Sequence, residues 1–263
     1  MSGPEDCRHV AVSMRRPCSA RATPAVRRWR PRPAKVVLAM LHVIVHNSVS
    51  ANGRVDGFDA DIDLHYGVAS SFGADVHLAG SDTILAAGLA ADGEVDGEVE
   101  RPRDDPHDTR SLLAIVDSRG RVDCWAALRR ASHWRERMVA LCSRATPTDH
   151  LDRLSARHVD RVIAGDRRVD LQEALAALER TYDARRVLVD SGGTLNAALF
   201  RAGLVDEVSL LVHPCLVEGP QASKHRPGEP TDAMALRLTA VDRPAGDIVW
   251  LRYDVVASGT ATS

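Results

Sequence analysis

Val187-Leu188-Val189-Asp190-Ser191-Gly192-Gly193-Thr194-Leu195-Asn196 is the stretch whose reading decides the fold. Its three apolar β-formers predict a buried strand, Val187 to Asp190, because a strand covered on both faces has no polar alternation. Two glycines follow at once, and then Leu195, Leu199 and Ala202 share one helical face, which predicts a helix over Thr194 to Ala202. A strand that turns through glycines into a helix leaves backbone N–H groups at the positive end of the helix dipole. These bind phosphate oxygens directly, and the missing side chains let a ligand come close. The same junction also occurs as a tight strand-to-helix turn with no ligand, so the motif alone leaves both readings open.

The pattern repeats outward from this corner. Upstream, His42 to Val45 reads as a buried strand followed by the turn Ala51-Asn52-Gly53, since Asn-Gly accepts the positive φ of a tight turn. Ile62, Tyr66, Ala69 and Phe72 recur at helical spacing up to Gly73. Asp75 to Ala79 is a short strand, and Gly80-Ser81-Asp82-Thr83 opens a further helix. Strands Leu112 to Val116, Met138 to Cys142 and Val159 to Ala164, and helices Pro147 to Arg157 and Leu171 to Tyr182, continue the alternation. Asp170 and Glu173 form a variant capping box at the start of the last helix. Strands separated by helices predict an α/β fold, a mostly parallel sheet with helices on both faces. Asp206 to His213, Ala235 to Asp242 and Ile248 to Val256 follow with no helix between them and predict an antiparallel edge at the C-terminal end.

Composition sets the limits. The chain has 263 residues, 44% of them hydrophobic, enough for a continuous core. No run of about 18 apolar residues is present, so no membrane span is expected. The five cysteines, Cys7, Cys18, Cys124, Cys142 and Cys215, include no C-x-x-C pair, which argues against a disulfide framework and for a reducing, cytoplasmic setting. The formal charge is −2, but residues 1–35 hold eight arginines and Lys35 against Glu5 and Asp6. This segment is Pro-rich, lacks periodicity and is expected to be a disordered tail; a nucleic-acid-binding arm or a targeting segment are its other readings. The acidic body is not expected to bind a nucleic-acid backbone. Residues 92–109, acidic and poor in apolar side chains, are expected to form a solvated loop, a candidate lid. The domain itself is expected to span 36–258, with 259–263 a second tail.

Asp190-Ser191-Gly192-Gly193-Thr194-Leu195-Asn196, followed by Arg201-Ala202-Gly203-Leu204-Val205-Asp206-Glu207-Val208 and His213-Pro214, resembles the C-terminal reductase domain of the bifunctional riboflavin deaminase-reductases and their stand-alone relatives. The likeness extends over most of residues 40–257. It implies a three-layer, dihydrofolate-reductase-like fold and an NADPH cofactor, with Gly192, Gly193, Thr194, Leu195 and Asn196 around its phosphates and Asp190 against the substrate. Val49-Ser50-Ala51-Asn52-Gly53-Arg54 is similar to the family's first-strand signature, which places Val49 by the cofactor and Ser50 and Asn52 at the nicotinamide end. Thr83, in Gly80-Ser81-Asp82-Thr83-Ile84-Leu85, and Ser118, in Asp117-Ser118-Arg119-Gly120, fall where the family meets the cofactor.

Arg144, with Ser143 in Cys142-Ser143-Arg144-Ala145-Thr146-Pro147, is a candidate for the 2′-phosphate, because a guanidinium binds phosphate bidentately; a surface arginine beside a helix cap is the alternative. Three departures stand out. Asn52 replaces the usual Asp, Ala86-Ala87-Gly88 replaces an acidic pair before proline, and the acidic loop replaces the threonine-arginine stretch that would grip a substrate phosphate.

Other chemistries find no support. The eleven histidines form neither H-E-x-x-H nor a pairing with cysteines at zinc spacing, so no metal is expected. There is no G-x-S-x-G nucleophile elbow and no His-x-Glu with Pro-Cys-x-x-Cys of a zinc deaminase. Trp125 is the tryptophan expected to face a ligand.

The resemblance therefore implies hydride transfer from NADPH to 5-amino-6-(5-phosphoribosylamino)uracil or its 2,5-diamino equivalent, opening ribosyl to ribityl, with Asp190, Asn52 and Ser50 as catalytic residues. A pterin-like or small carbonyl substrate on the same scaffold, and a non-catalytic dimeric nucleotide-binding protein, are the alternatives. A homodimer is expected, paired through the apolar strand Ile248-Val249-Trp250-Leu251-Arg252-Tyr253.

Overall fold

The computed structural model describes residues 41–92, 101–102, 105, 107–131, 133–219 and 234–256. The tails expected at 1–35 and 259–263, and most of the acidic loop, lie outside them. The elements run β1 (His42–Ser50), α1 (Ile62–Ser71), β2 (Val76–Gly80), α2 (Ser81–Ala86), β3 (Ser111–Val116), α3 (Trp125–Arg130), β4 (Trp134–Cys142), α4 (Thr148–Ala156), β5 (Asp160–Ile163), α5 (Leu171–Tyr182), β6 (Arg186–Val189), α6 (Gly193–Ala202), β7 (Glu207–His213), β8 (Leu236–Ala245) and β9 (Ile248–Val255).

The strands form one sheet of order β5-β4-β3-β2-β6-β1-β7-β9-β8. All neighbours from β5 to β7 are parallel, and β9 and β8 close the edge antiparallel, as the helix-free C-terminal stretch predicts. Alternate residues feed two cores. Val43, Val45, Val76, Leu78, Val187 and Val189 pack with Leu175, Leu178, Leu195 and Leu199 of α5 and α6. On the opposite face, Leu113, Ile115 and Met138 meet α3 and α4 through Trp125, Leu128 and Leu154, while Ile44 and Leu188 meet α1 through Val68, Ala69 and Phe72. Three layers result, with each fully buried aliphatic side chain contributing about 1.5–3 kcal/mol. Among the described residues, no helix is long and apolar enough to cross a membrane.

This order creates a topological switch. The connections from β1 through β4 carry α1 to α4 on one face, whereas β6 leads into α6 on the other. Crossover helices therefore diverge where β6 lies between β1 and β2, and in open α/β sheets ligands bind beyond the C-terminal strand ends at such a switch.

Local differences from the sequence reading have physical causes. The helix α3 is unannounced in the sequence: it is six residues long, its N-cap Cys124 makes no side-chain bond, and the first-turn Ala126 N–H donates instead to Asp92, 34 positions away, at 2.9 Å. Trp125 does not face a ligand, because it is 1% exposed and its indole N–H donates to the Val122 carbonyl at 3.0 Å. In the capping box, Asp170 accepts from the N–H groups of Gln172 and Glu173, but Glu173 turns outward to accept from Gly165 N–H at 2.8 Å.

Candidate active site

The residues singled out from sequence lie on five separate segments, yet they gather at the C-terminal ends of β1, β2, β3, β4 and β6. The centre is the corner between β6 and α6. Ser191 accepts from Gly80 N–H at 3.2 Å and lies 3.1 Å from the Thr83 hydroxyl, which in turn accepts from Gly192 N–H at 3.1 Å. Thr83 thus ties α2 to the glycine corner. Beneath it, the Asn196 side-chain amide donates to Asn47 Oδ1 and to the Ser191 carbonyl, both at 2.8 Å, and Asn47 donates to the same carbonyl at 3.0 Å. Asn196 and Leu195 are buried, so their side chains brace the corner from within.

Gly192 caps α6 in an extended conformation and, having no side chain, supplies no cap of its own to the positive end of the dipole. A Cβ added at Gly193 would meet nothing within 4 Å, and one at Gly192 would meet only the Thr83 hydroxyl at 4.0 Å. Every other described glycine except Gly67 has a positive φ or a crowded Cβ position. Among the described residues nothing requires glycine at 193, where alanine would favour the helix. The bare corner is a cradle that a Cβ would fill, and it fits the diphosphate of a dinucleotide.

The remaining expected residues are placed as follows. Ser50 donates to Asn52 Oδ1 at 2.7 Å and accepts from Arg54 N–H, while Asn52 makes two bonds to Val217, pinning the turn after β1 to the segment after β7. Val49 is buried in β1 opposite Val212. Ser118 Oγ accepts from Val169 N–H at 2.9 Å, and Ser143 is fully buried beside the Ser118 carbonyl. Arg144 is exposed and paired with Asp166 at 2.9 Å.

Sequence reasoning missed what surrounds Asp190. Its Oδ2 lies 3.4 Å from His65 Nε2 on α1 and 3.5 Å from His77 Nε2 on β2. Burial alone would raise this carboxyl, but hydrogen bonds from and charge on the two imidazoles hold it far below the usual carboxylate range. His65 Nδ1 meets the Ser48 hydroxyl at 3.1 Å. His46, 4.4 Å away ring to ring, is bonded to Ser209 and to the His65 carbonyl, and burial followed by the charge of His65 pushes its pKa down to about 3. Tyr66 closes the outer side, stacked on His133 at 4.7 Å, its hydroxyl pushed up to about 12 by burial and then by the Asp190 charge. Among the described residues, no group of three or more His, Cys, Asp or Glu is placed to hold a metal ion.

The signal was the polar run His46-Asn47-Ser48 inside an otherwise apolar strand, since buried polar groups demand partners.

With this geometry in hand, comparison with known proteins is decisive. Residues 41–250 match the model of the RibD C-terminal domain family. The chain belongs to that family. Among curated RibD C-terminal domain relatives, the 2,5-diamino-6-ribosylamino-4(3H)-pyrimidinone 5′-phosphate reductase of Methanothermobacter thermautotrophicus is 37% identical over 93 residues, covering 35% of this chain and 42% of that protein. The protein of the same name from Archaeoglobus fulgidus is 30% identical over 120 residues, covering 46% and 52%. The matched stretches thus span about half of these relatives or less.

Solved structures share the fold at low identity. A pyrimidine reductase-like protein of Corynebacterium diphtheriae has a TM-score of 0.60 at 16% identity, covering 82% of this chain and 92% of that one. The riboflavin biosynthesis reductase Rib7 of Saccharomyces cerevisiae gives 0.58 at 16%, covering 82% and 90%.

Proposed function

We propose that this RibD C-terminal domain protein is an NADPH-dependent reductase. Its substrate would be 2,5-diamino-6-ribosylamino-4(3H)-pyrimidinone 5′-phosphate or 5-amino-6-(5-phosphoribosylamino)uracil, whose ribosyl group it reduces to ribityl. The observation that carries this reading is the open, side-chain-free corner at Gly192 and Gly193, two residues beyond an ionised Asp190. Both curated relatives bear a reductase name for one of these compounds.

The bound nicotinamide supplies the hydride. The protein's task is then to bind, orient and exclude water, so no nucleophile is needed. Gly192, Gly193 and Thr194 seat the diphosphate at the start of α6, with Leu195 and Asn196 lending backbone only. Thr83 fixes the corner's shape through its bonds to Gly192 and Ser191. Arg144 exchanges Asp166 for the 2′-phosphate, while Ser143 and Ser118 hold the β3 and β4 ends that carry it. Val49, Ser50 and Asn52 line the nicotinamide end, and Asp190 accepts hydrogen bonds from the substrate's hydroxyl or amino groups.

We also propose a homodimer paired through β8 and β9. Leu236, Leu238 and Val241 stand opposite Val255, Tyr253 and Leu251, giving one continuous apolar face, and the three β8 residues are exposed. The free thiols Cys124, Cys142 and Cys215 suit the cytoplasm.

The test is NADPH oxidation by the purified protein with each ribosylamino pyrimidine and with dihydrofolate. Turnover with a pyrimidine and none with dihydrofolate is expected. Turnover with dihydrofolate alone, or with none of the three, refutes the proposal.

A further inference from the structure

Reduction of a ribosylamine consumes a proton as well as a hydride. The ring oxygen takes the proton as the C1′–O4′ bond breaks, and the nitrogen lone pair forms a C1′=N bond. The hydride from the reduced nicotinamide dinucleotide then supplies the electron pair of the new C1′–H bond, and the π pair returns to nitrogen. The cofactor brings the hydride, and the proton needs a source in the protein.

Asp190 alone is a poor reservoir, since it is held ionised. Its neighbours are of a different kind. His65 and His77 come from two elements, α1 and β2, and both direct Nε2 at the same carboxylate oxygen. Histidine is the side chain whose ordinary titration falls between about pH 5 and 8. Both rings are 7% exposed against 20% for Asp190, so the carboxylate is the most accessible member of the trio. The distances of 3.4 and 3.5 Å are longer than the ~2.7–2.9 Å of a locked charge-assisted bond, which leaves the carboxylate room to turn.

We propose that His65 and His77 hold, at Asp190, the proton consumed in each reduction, and that it passes from an imidazolium through the Asp190 carboxyl to the substrate's ring oxygen. This rests on the reductase reading and adds the proton path to it. Once it has taken a proton from an imidazolium, the carboxyl has a proton to donate to the ether oxygen, and the second imidazole still contacts the same carboxylate oxygen. After transfer the imidazole is neutral and is reloaded from solvent.

The groups facing the pair from the packed elements are His46 from β1, Tyr66 from α1, Asp190 from β6, His213 from β7 and His133 beside β4. His46, driven neutral, adds no competing charge. His65 and His77 touch the substrate only through Asp190, so their role is positioning and proton supply.

Two measurements decide the matter. Long-range ¹⁵N–¹H correlation spectra of the imidazoles in the full-length protein, without added nucleotide, should show proton uptake by the pair between pH 8 and 5. In Asp190→Asn, which removes the negative charge beside both rings, that uptake should change. Rings that stay neutral throughout, or a titration indifferent to Asp190→Asn, overturn the proposal.

In turnover with 2,5-diamino-6-ribosylamino-4(3H)-pyrimidinone 5′-phosphate, wild-type kcat should fall as pH rises. The double variant H65Q/H77Q keeps an N–H donor near each Nε2 position but cannot titrate. Its kcat should be about 100-fold lower and flat over that limb, with KM within threefold of wild type. If glutamine restores kcat and its pH profile, the histidines only hold Asp190 in place and the proposal falls. If the wild type turns over neither pyrimidine, the reductase reading fails, and the ring titration still decides whether the pair carries a proton at Asp190.

Discussion

Gly193→Ala separates a glycine kept for a ligand from one kept for the fold. The residue opens α6 at φ values any residue adopts, and the built Cβ meets nothing within 4 Å. Folding should therefore lose nothing by the change. Alanine's helix preference is worth up to about 1 kcal/mol, which for a domain of this size raises Tm by ~2–4 °C at most. On the proposed function the effect on NADPH is opposite, because the new methyl group would occupy the space assigned there to the diphosphate. Loss of one hydrogen bond to a charged oxygen costs about 1.5–3 kcal/mol, or roughly a 10- to 150-fold rise in Kd. Calorimetric titration with NADPH, paired with thermal melts, measures both. Gly67→Ala on α1 is the control, since its Cβ also enters open space; it should raise Tm similarly and leave Kd unchanged. Gly193→Ala binding NADPH as tightly as wild type, or melting several degrees lower, would refute the reasoning.

Other perturbations test the surrounding structure. Asn196→Ala removes two bonds beneath the corner and strands Asn47 Oδ1, so thermal melts should show a loss of about 1–3 kcal/mol. At the other end of β1, a hydrogen bond to Glu207 raises His42, and Glu207, although raised by burial, is held low by His42 and Arg252. The histidine's contribution is complete below its unfolded pKa and lost as pH rises through the folded value, whereas that of Glu207 is lost as pH falls through its own lowered value. Melts across pH should therefore show His42→Gln removing stability only on the acid side of that rise, and Glu207→Gln flattening the acid limb. Introducing charge on the apolar edge with L238E/V241E should halve the mass seen by light scattering without lowering NADPH affinity. An unchanged mass would move the subunit contact elsewhere.

The strand-to-helix corner was legible because β6 and α6 differ so sharply in period and meet at two glycines, and the parallel order followed from alternation with helices. The Asp170 cap was equally plain. The helix α3 was not, since six residues from Trp125 to Arg130 are too few to establish a period. His65 and His77 read as isolated histidines on a helix and a strand. They meet Asp190 only because β6 inserts between β1 and β2, with Val189 in register with both Val45 and Leu78. Pairing of this kind depends on strand order, which local pattern does not encode. Asn196 shows the converse: placed by resemblance among cofactor contacts, it turns its side chain inward to Asn47, a partner 149 positions away.

The most direct test of hydride delivery to a ribosylamine is isotopic. With NADPH deuterated at the transferable C4 position and 2,5-diamino-6-ribosylamino-4(3H)-pyrimidinone 5′-phosphate, mass spectrometry of the product should find a single deuterium on the ribityl C1′. Product without that label, or cofactor left unoxidised by saturating substrate, would contradict the account.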